Sequence, residues 1–405
     1  MDVRRQLIPV QSATRSKGTG ALEAYAAAAP GLEPVVAREL KSLGIAPRLE
    51  TGGVSFRATI ETVAGANLWL RTASRVIVRV AVFRAQAFHE LERLARAVPW
   101  ERFVAPGAPV RFRVASRKSR LYHTGAIEQR VAEAIEHRLG RMSIVDSTGV
   151  AADEEDTEAS RAQLFVIRVL SDAFTISADS SGALLHQRGY RKAIAKAPVR
   201  ETIAAAMLMA SDWSGATPLI DPMCGSGTIP IEAALIARRI APGLRREFAF
   251  LEWPETTMPM WDKLREDAAG AALTKSPVAI RGSDRDQGAI GAAIANAERA
   301  GVSSDIDFSV RSVSAIDKES AIPGLVVTNP PYGVRVGEAQ KLRDLYARFG
   351  QVLRAKYPGW DVALLSANPQ LERELRMGLQ ERLRTRNGGI PVRLVTARVP
   401  GIAQP

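Results

Sequence analysis

Residues Asp221-Pro222-Met223-Cys224-Gly225-Ser226-Gly227-Thr228, DPMCGSGT, close the apolar run TPLID and lead into the helical stretch IPIEAALIARRI. A carboxylate at a strand end, then glycines, then a helix is the build of a nucleotide-binding turn, because glycine lets a ligand approach the backbone closely. A P-loop requires Gly-Lys-Ser/Thr after the turn, and the dinucleotide fingerprint requires a third glycine at position 230. Position 230 is proline, tolerated in a first helical turn, where a missing N–H costs nothing.

Working outward, the chain from Pro198 onward alternates helices with the near-continuous apolar strands TPLID, VAIRGSD, LVVTN and DVALLSA. Strands buried on both faces and separated by helices predict a doubly wound parallel sheet, with ligands beyond the strands' carboxyl ends. An acidic strand end followed by glycines resembles the S-adenosylmethionine site of class I methyltransferases. Asp284, ending RGSD, is placed to accept both hydroxyls of a ribose, although an Asp after a strand is also a common helix cap. The strand DFSVR runs to Ser312, where this fold commonly offers an Asp to adenine; serine can still hydrogen-bond, but it is short and neutral.

The second motif is Val327-Thr328-Asn329-Pro330-Pro331-Tyr332-Gly333, after the fourth strand. The prolines push each preceding residue towards extended geometry and preset the carbonyl directions. An aromatic amine is a poor nucleophile because its lone pair is delocalised into the ring. The Asn329 side-chain oxygen and the Pro330 carbonyl can accept its two hydrogens and aim the lone pair at a methyl donor, so catalysis is orientation and electrostatics. Tyr332 is placed to stack on an unpaired base.

The N-terminal half reads differently. Short β-branched runs (VSFRATI, VIVRVAVF, PVRFRVAS, QLFVIRVL) alternate with helical stretches (LEPVVARELKSLG, AIEQRVAEAIEHRLG), predicting one or two small α+β units. The acidic run Asp153 to Glu158 reads as a solvated loop. A net charge of +12 over 405 residues favours a polyanionic partner. Two basic clusters are candidate phosphate contacts: Arg117, Lys118 and Arg120 in SRKSRLYHTG, and Arg188, Arg191 and Lys192 with Lys196 and Arg200 further on. One cysteine and four histidines exclude a disulfide and a cysteine-rich zinc site and fit a reducing cytoplasm. Cys224 reads as a packed loop residue, since this chemistry needs no covalent intermediate. No apolar run approaches the ~20 residues that span a bilayer, so no membrane association is expected. Residues 1–20 lack a signal-peptide pattern and read as a disordered basic tail.

With these residues in hand, the chain resembles the THUMP-domain RNA guanine-N2 methyltransferases, most nearly the bacterial enzymes acting on 23S ribosomal RNA in the form without a fused second methyltransferase domain. The likeness runs over roughly residues 21 to 400 through APGLEPVVARELKSLG, GGVSF, RTASRV, SRKSRLYHTGAI, LLHQRGYR, APVRETIAAAML, DPMCGSGT, APGLRR, GSDRD and TNPPYGVRVGE.

The resemblance implies an α/β protein with a ferredoxin-like region (21–62), a THUMP domain that grips structured RNA (63–180), a basic linker (181–200) and a C-terminal Rossmann-like methyltransferase domain (201–405). It implies S-adenosylmethionine as cofactor and no metal. Asp221, Pro222, Cys224, Gly225, Ser226, Gly227 and Thr228 then line the donor site with Asp284 and Ser312, while Asn329, Pro330, Pro331 and Tyr332 meet the base. The expected reaction is methylation of a guanine 2-amino group in structured RNA, ribosomal rather than transfer RNA. A DNA adenine-N6 methyltransferase shares the Asn-Pro-Pro-Tyr motif, and a noncatalytic RNA-binding factor is the alternative of a different class.

Overall fold

The computed structural model describes residues 21–145, 162–192, 199–316, 322–332 and 339–401. The expected tail, the acidic run, Lys196 and Gly333 lie outside these residues.

In chain order the elements are β1 (Leu22–Ala28), α1 (Glu33–Ser42), β2 (Pro47–Glu50), β3 (Gly53–Ala58), α2 (Ile60–Trp69), β4 (Ala73–Arg84), α3 (Phe88–Arg96), β5 (Val110–Arg117), α4 (Thr124–Leu139), β6 (Gln163–Leu170) and β7 (Ala173–Asp179). There follow α5 (Glu201–Ala210), β8 (Leu219–Asp221), α6 (Thr228–Ala237), α7 (Met258–Gly270), β9 (Ile280–Asp284), α8 (Gln287–Ala300), β10 (Ile306–Val310), β11 (Leu325–Thr328), α9 (Ala339–Lys356), β12 (Asp361–Ser366), α10 (Pro369–Glu374), β13 (Gln380–Asn387) and β14 (Ile390–Arg398). The chain packs as two units, one of 1–28, 36–185 and 246–267, the other of 29–35, 186–245 and 268–405. Among the described residues no helix is long and apolar enough to cross a membrane.

The first unit is built on one seven-stranded sheet, ordered β2-β3-β1-β4-β7-β6-β5. The 12-residue β4 is what makes it one sheet. It pairs with β1 over Ala73 to Arg79 and with β7 over Ile77 to Arg84, so the two α+β halves read from the sequence share a strand. Two local constraints seat it. Buried Glu39 accepts from the Arg71 amide at 2.6 Å, the Thr72 amide at 3.1 Å and the Thr72 hydroxyl, which fixes the entry to β4. Burial nevertheless pushes the Glu39 carboxyl above its usual range. Gly53, at the start of β3, stands where a Cβ would run into the Ala26 carbonyl and the Tyr25 ring.

Residues 246–267 also belong to this unit, although a contiguous 201–405 domain would place them elsewhere. Their aromatic side chains explain it. Trp253 meets Phe103 edge-on at 5.1 Å and donates from its indole nitrogen to Gln163 at 2.7 Å, while Trp261 packs edge-on against Phe248 and Phe250.

The second unit carries the sheet β10-β9-β8-β11-β12-β14-β13, parallel from β10 to β12, with β14 antiparallel to both β12 and β13. Counted within the unit, the order is 3-2-1-4-5-7-6. Alternation along the strands feeds a separate core on each face: Leu219, Leu325, Val327, Ala363 and Leu365 on one, Ile220, Val326, Val362 and Leu364 on the other. Apolar residues at every strand position are the consequence of helices covering both faces.

A Cβ at position 53 would lie 2.3 Å from the Ala26 carbonyl oxygen and 2.6 Å from the Tyr25 ring. Gly53→Ala is therefore expected to cost about 1–3 kcal/mol through overpacking, read as a lower urea midpoint for the first unit; an unchanged midpoint would show that β3 shifts without penalty.

Candidate active site at the carboxyl ends of the central strands

The strand order reverses between β8 and β11, which opens the crevice where open α/β sheets hold ligands. Asp221 ends β8, Asp284 ends β9 and Asn329 follows β11 directly. Adjacent parallel strands thus bring together residues more than a hundred positions apart.

The glycine loop is held from three sides. The Cys224 amide donates to the Ser283 carbonyl at 2.9 Å, the Gly225 amide donates to Asp284 Oδ2 at 3.0 Å, and Asn296 of α8 donates from Nδ2 to the Ser226 carbonyl at 3.0 Å. Gly227 takes φ +82°, and an added Cβ would sit 2.9 Å from Ala293. The loop therefore presents backbone, and α6 begins at Thr228 with Pro230 in its first turn.

Asp284 is half-buried, and its Oδ1 accepts from the Asp286 amide at 3.0 Å. The helix cap is Asp286, whose Oδ1 accepts from the Ala289 amide at 3.0 Å. Each Asp284 oxygen retains a further lone pair for a ligand. Asp221 is 1% exposed and accepts from the Met223 amide at 3.1 Å. Burial pushes its carboxyl up to about 7, against the pull of the Met223 amide that donates to it. Cys224 is buried, and burial holds its thiol well above the usual range, as befits a packing residue. Ser226 and Thr228 are buried, Pro222 is buried beside Asp221, and Ser312 is exposed, its hydroxyl 3.0 Å from that of Ser314. The strand DFSVR ends at Val310, two residues before Ser312.

Across the switch point, Asn329 is half-buried, and its Oδ1 is a buried acceptor with no hydrogen-bond partner among the described residues. Such an atom costs about 1–3 kcal/mol. Pro330 is buried, Pro331 exposed, and half-buried Tyr332 accepts from Asn387 Nδ2 at 3.2 Å. Asn387 ends β13 just before a two-glycine hairpin turn, Gly388 and Gly389, with φ of +54° and +85°. A surface hollow of about 460 Å³ lies instead at the amino ends of β9 and β10; fold geometry favours the carboxyl ends as the site.

Sequence reading missed Asn296 and Asn387. Asn296 falls on the buried stripe of α8 with Ile290, Ala293, Ala297 and Ala300, and a polar residue on an apolar stripe is a detectable signal. Asn387 reads only as a turn residue.

The second basic cluster requires correction. Arg188, expected at an RNA surface, is 6% exposed, and its guanidinium pairs with Glu232 of α6, whose other oxygen accepts from the Tyr190 hydroxyl at 2.9 Å. Glu232 lies on a buried helix face, and a buried carboxylate needs a cation. Arg191 pairs with Glu201 at 3.1 Å and donates to the Val199 carbonyl at 3.1 Å, leaving Lys192 as the exposed member of the three. Arg299 continues the network, donating to the Tyr190 carbonyl at 2.8 Å and to Asn296 Oδ1. Arg117, Lys118 and Arg120 are exposed, in the first unit.

The RMKL-like methyltransferase domain model matches residues 188–396, the RlmL ferredoxin-like domain model residues 23–77 and the THUMP domain model residues 85–149. The chain is 37% identical to the ribosomal RNA large subunit methyltransferase K/L of Syntrophotalea carbinolica over 92% of its own length and 53% of that protein's, so it spans about half of that relative. It is 36% identical to YpsC of Bacillus subtilis, a protein provisionally named an RNA methyltransferase, over 86% of this chain and 88% of that one. The crystal structure of SMU.472 complexed with SAH superposes with a TM-score of 0.82 at 31% identity, covering 96% of this chain and 100% of that one.

Two predictions follow from burial. The folded state keeps a proton on Asp221 that the unfolded chain releases above its ordinary value of 3.8, so stability falls as pH rises towards about 7. Asp221→Asn should remove this loss, on the order of 4 kcal/mol at most; thermal midpoints of ligand-free protein at about pH 5 and about pH 8 measure it, and equal losses in both proteins would refute it. Arg188→Ala strands Glu232 in the core and should cost about 3–5 kcal/mol, whereas Lys192→Ala stays within ~0.5 kcal/mol. Denaturant titration distinguishes them, and an Arg188 effect as small as that of Lys192 would return Arg188 to the surface.

Proposed function

The chain belongs to the RMKL-like methyltransferase family, and from that premise we propose that it transfers a methyl group from S-adenosylmethionine to the exocyclic 2-amino group of a guanine in structured RNA, with 23S ribosomal RNA as the substrate. The observation that carries this reading is the buried Asn329 Oδ1, without a partner among the described residues, beside the crevice that the glycine loop borders. The K/L relative's name supports ribosomal RNA, the THUMP domain supports structured RNA, and the SAH complex of SMU.472 supports the donor. The proposed division keeps RNA binding in 63–180 and chemistry in 201–405.

The residues divide the work. Bound S-adenosylmethionine supplies an electrophilic methyl on a sulfonium. The backbone of 222–228, the buried Asp221 carboxyl and the Asp284 carboxylate would hold the donor's polar groups, with Ser312 at the adenine end. Asn329 Oδ1 and the Pro330 carbonyl accept the two amine hydrogens, which localises the nitrogen lone pair and turns it towards the donor. Making these bonds also satisfies the buried acceptor, so their strength is not spent on breaking a protein contact first. Pro331 holds Pro330 extended. Asn387 donates to the Tyr332 hydroxyl, which anchors the far end of the ring that is to stack on the base.

Asn329→Ala is expected to slow turnover by about 10²-fold or more while calorimetric donor affinity stays nearly intact. RNA carrying inosine at the target position lacks both the nucleophile and its hydrogens and should accept no methyl group; methylation of it at a normal rate would falsify the guanine-N2 assignment. Mass spectrometry of digested RNA separates the rivals. Methylated adenine promotes the adenine enzyme, methylation confined to transfer RNA moves the substrate, and no donor binding at all leaves a noncatalytic RNA-binding factor.

A further inference from the structure

In the first unit, the segment between β5 and α4 combines features that packing alone does not call for. Tyr122 is 66% exposed, and its ring lies 4.1 Å from that of exposed His123, tilted by 37°. Within the five preceding residues stand exposed Arg117, Lys118 and Arg120, none of which has an ion-pair partner among the described residues. A single exposed aromatic is ordinary. A paired one, flanked by three uncommitted cations, is a surface with both elements of single-strand recognition: a π-face and positive charge.

The segment is also held in place. Asp172, in the β6–β7 turn, accepts from the Arg120 amide at 2.7 Å and from Gln86 Nε2 at 3.0 Å, and donates its own amide to Ser119 Oγ at 3.1 Å. Ser119 donates onward to the Arg117 carbonyl at 2.8 Å, and Ser116 donates to the Leu121 carbonyl at 2.7 Å. Leu121 is buried, so it anchors the backbone one residue before Tyr122. Lys118 takes φ +50°, which swings the chain tightly through the cationic stretch. A platform whose backbone is already ordered loses little entropy when a ligand docks.

We infer that the Tyr122–His123 ring pair is a stacking subsite for an unpaired nucleobase of the RNA substrate, whose neighbouring phosphates Arg117, Lys118 and Arg120 hold. This rests on the RNA reading above and adds that the RNA must offer a single-stranded nucleotide here, at a place separate from the guanine that is methylated. Stacking tolerates any base, since every base has a π-face, and it releases no condensed counterions, so it leaves the salt slope to the phosphate contacts. The phosphate contacts are indifferent to base identity but strongly salt-dependent.

That difference gives the test. The full chain is titrated, at several salt concentrations, with two end-labelled RNA hairpins of equal phosphate count, one blunt and one with a short 3′ single-stranded overhang. The wild-type protein should bind the overhang RNA ~10-fold more tightly than the blunt one. Tyr122→Ala should erase that preference by weakening the overhang RNA alone, with the slope of log K against log salt unchanged, and Tyr122→Phe should preserve it. Lys118→Ala should instead weaken both RNAs and flatten the slope by about 0.7–0.9. A Tyr122→Ala protein that keeps the wild-type preference overturns the stacking subsite while leaving the RNA reading standing. Wild-type protein that binds neither hairpin overturns both, and that result is distinct because it appears before any substitution is made.

Discussion

The candidate chemistry depends on one constraint above others: the backbone of Cys224 to Gly227 must be held still without filling the space beside it. Helix-entry loops leave amides unpaired by geometry, and two of the four residues here, Gly225 and Gly227, have no side chain with which to anchor the loop. The structure solves this by anchoring from outside. The Ser283 carbonyl and the Asp284 carboxylate take two loop amides, and the Asn296 carboxamide takes a loop carbonyl. Each bond contributes on the order of 1 kcal/mol, and together they fix the course of the loop backbone. Asp284 holds the loop, and in the proposed function it also faces the donor.

Buried charge in the second unit serves the same end. Glu232, Arg188, Tyr190, Arg299 and Asn296 form a chain of contacts from the buried face of α6 to the Ser226 carbonyl. Such a network adds little net stability compared with apolar packing. What it adds is direction, since an ion pair and a guanidinium that donates to two separate acceptors fix orientation where methyl groups would slide. This is why Arg188, read as RNA-facing from the density of charge around it, lies inside, while half-buried Arg191 is committed to Glu201. Sequence shows that a residue is charged, and it does not show which carboxylate folding brings beside it.

The two proposed RNA-directed features rest on different physics. At Asn329 a buried acceptor has no hydrogen-bond partner among the described residues, which in the proposed reaction leaves it to a substrate amine. At Tyr122 an aromatic face is left in water, where a base can displace that water. One site supplies orientation for a reaction, the other a grip.

Much of this was legible in the chain itself. The parallel strands TPLID, VAIRGSD, LVVTN and DVALLSA appear where continuous apolar runs place them, and the glycine turn and Asn-Pro-Pro-Tyr emerge at adjacent strand ends because local pattern sets both strand and turn. The buried state of Arg188, the anchoring roles of Asn296 and Asn387, the sharing of β4 between two halves of a sheet and the passage of residues 246–267 into the first unit were not legible. Each depends on a partner distant in sequence: Glu232 for Arg188, Ser226 for Asn296, Tyr332 for Asn387, β7 for β4 and Phe103 for Trp253. Periodicity and turn chemistry are properties of neighbours along the chain, so the sequence alone determines elements and motifs. Which polar group faces which is settled only when packing removes water, because only then does an unpaired charge or amide cost enough to choose its partner.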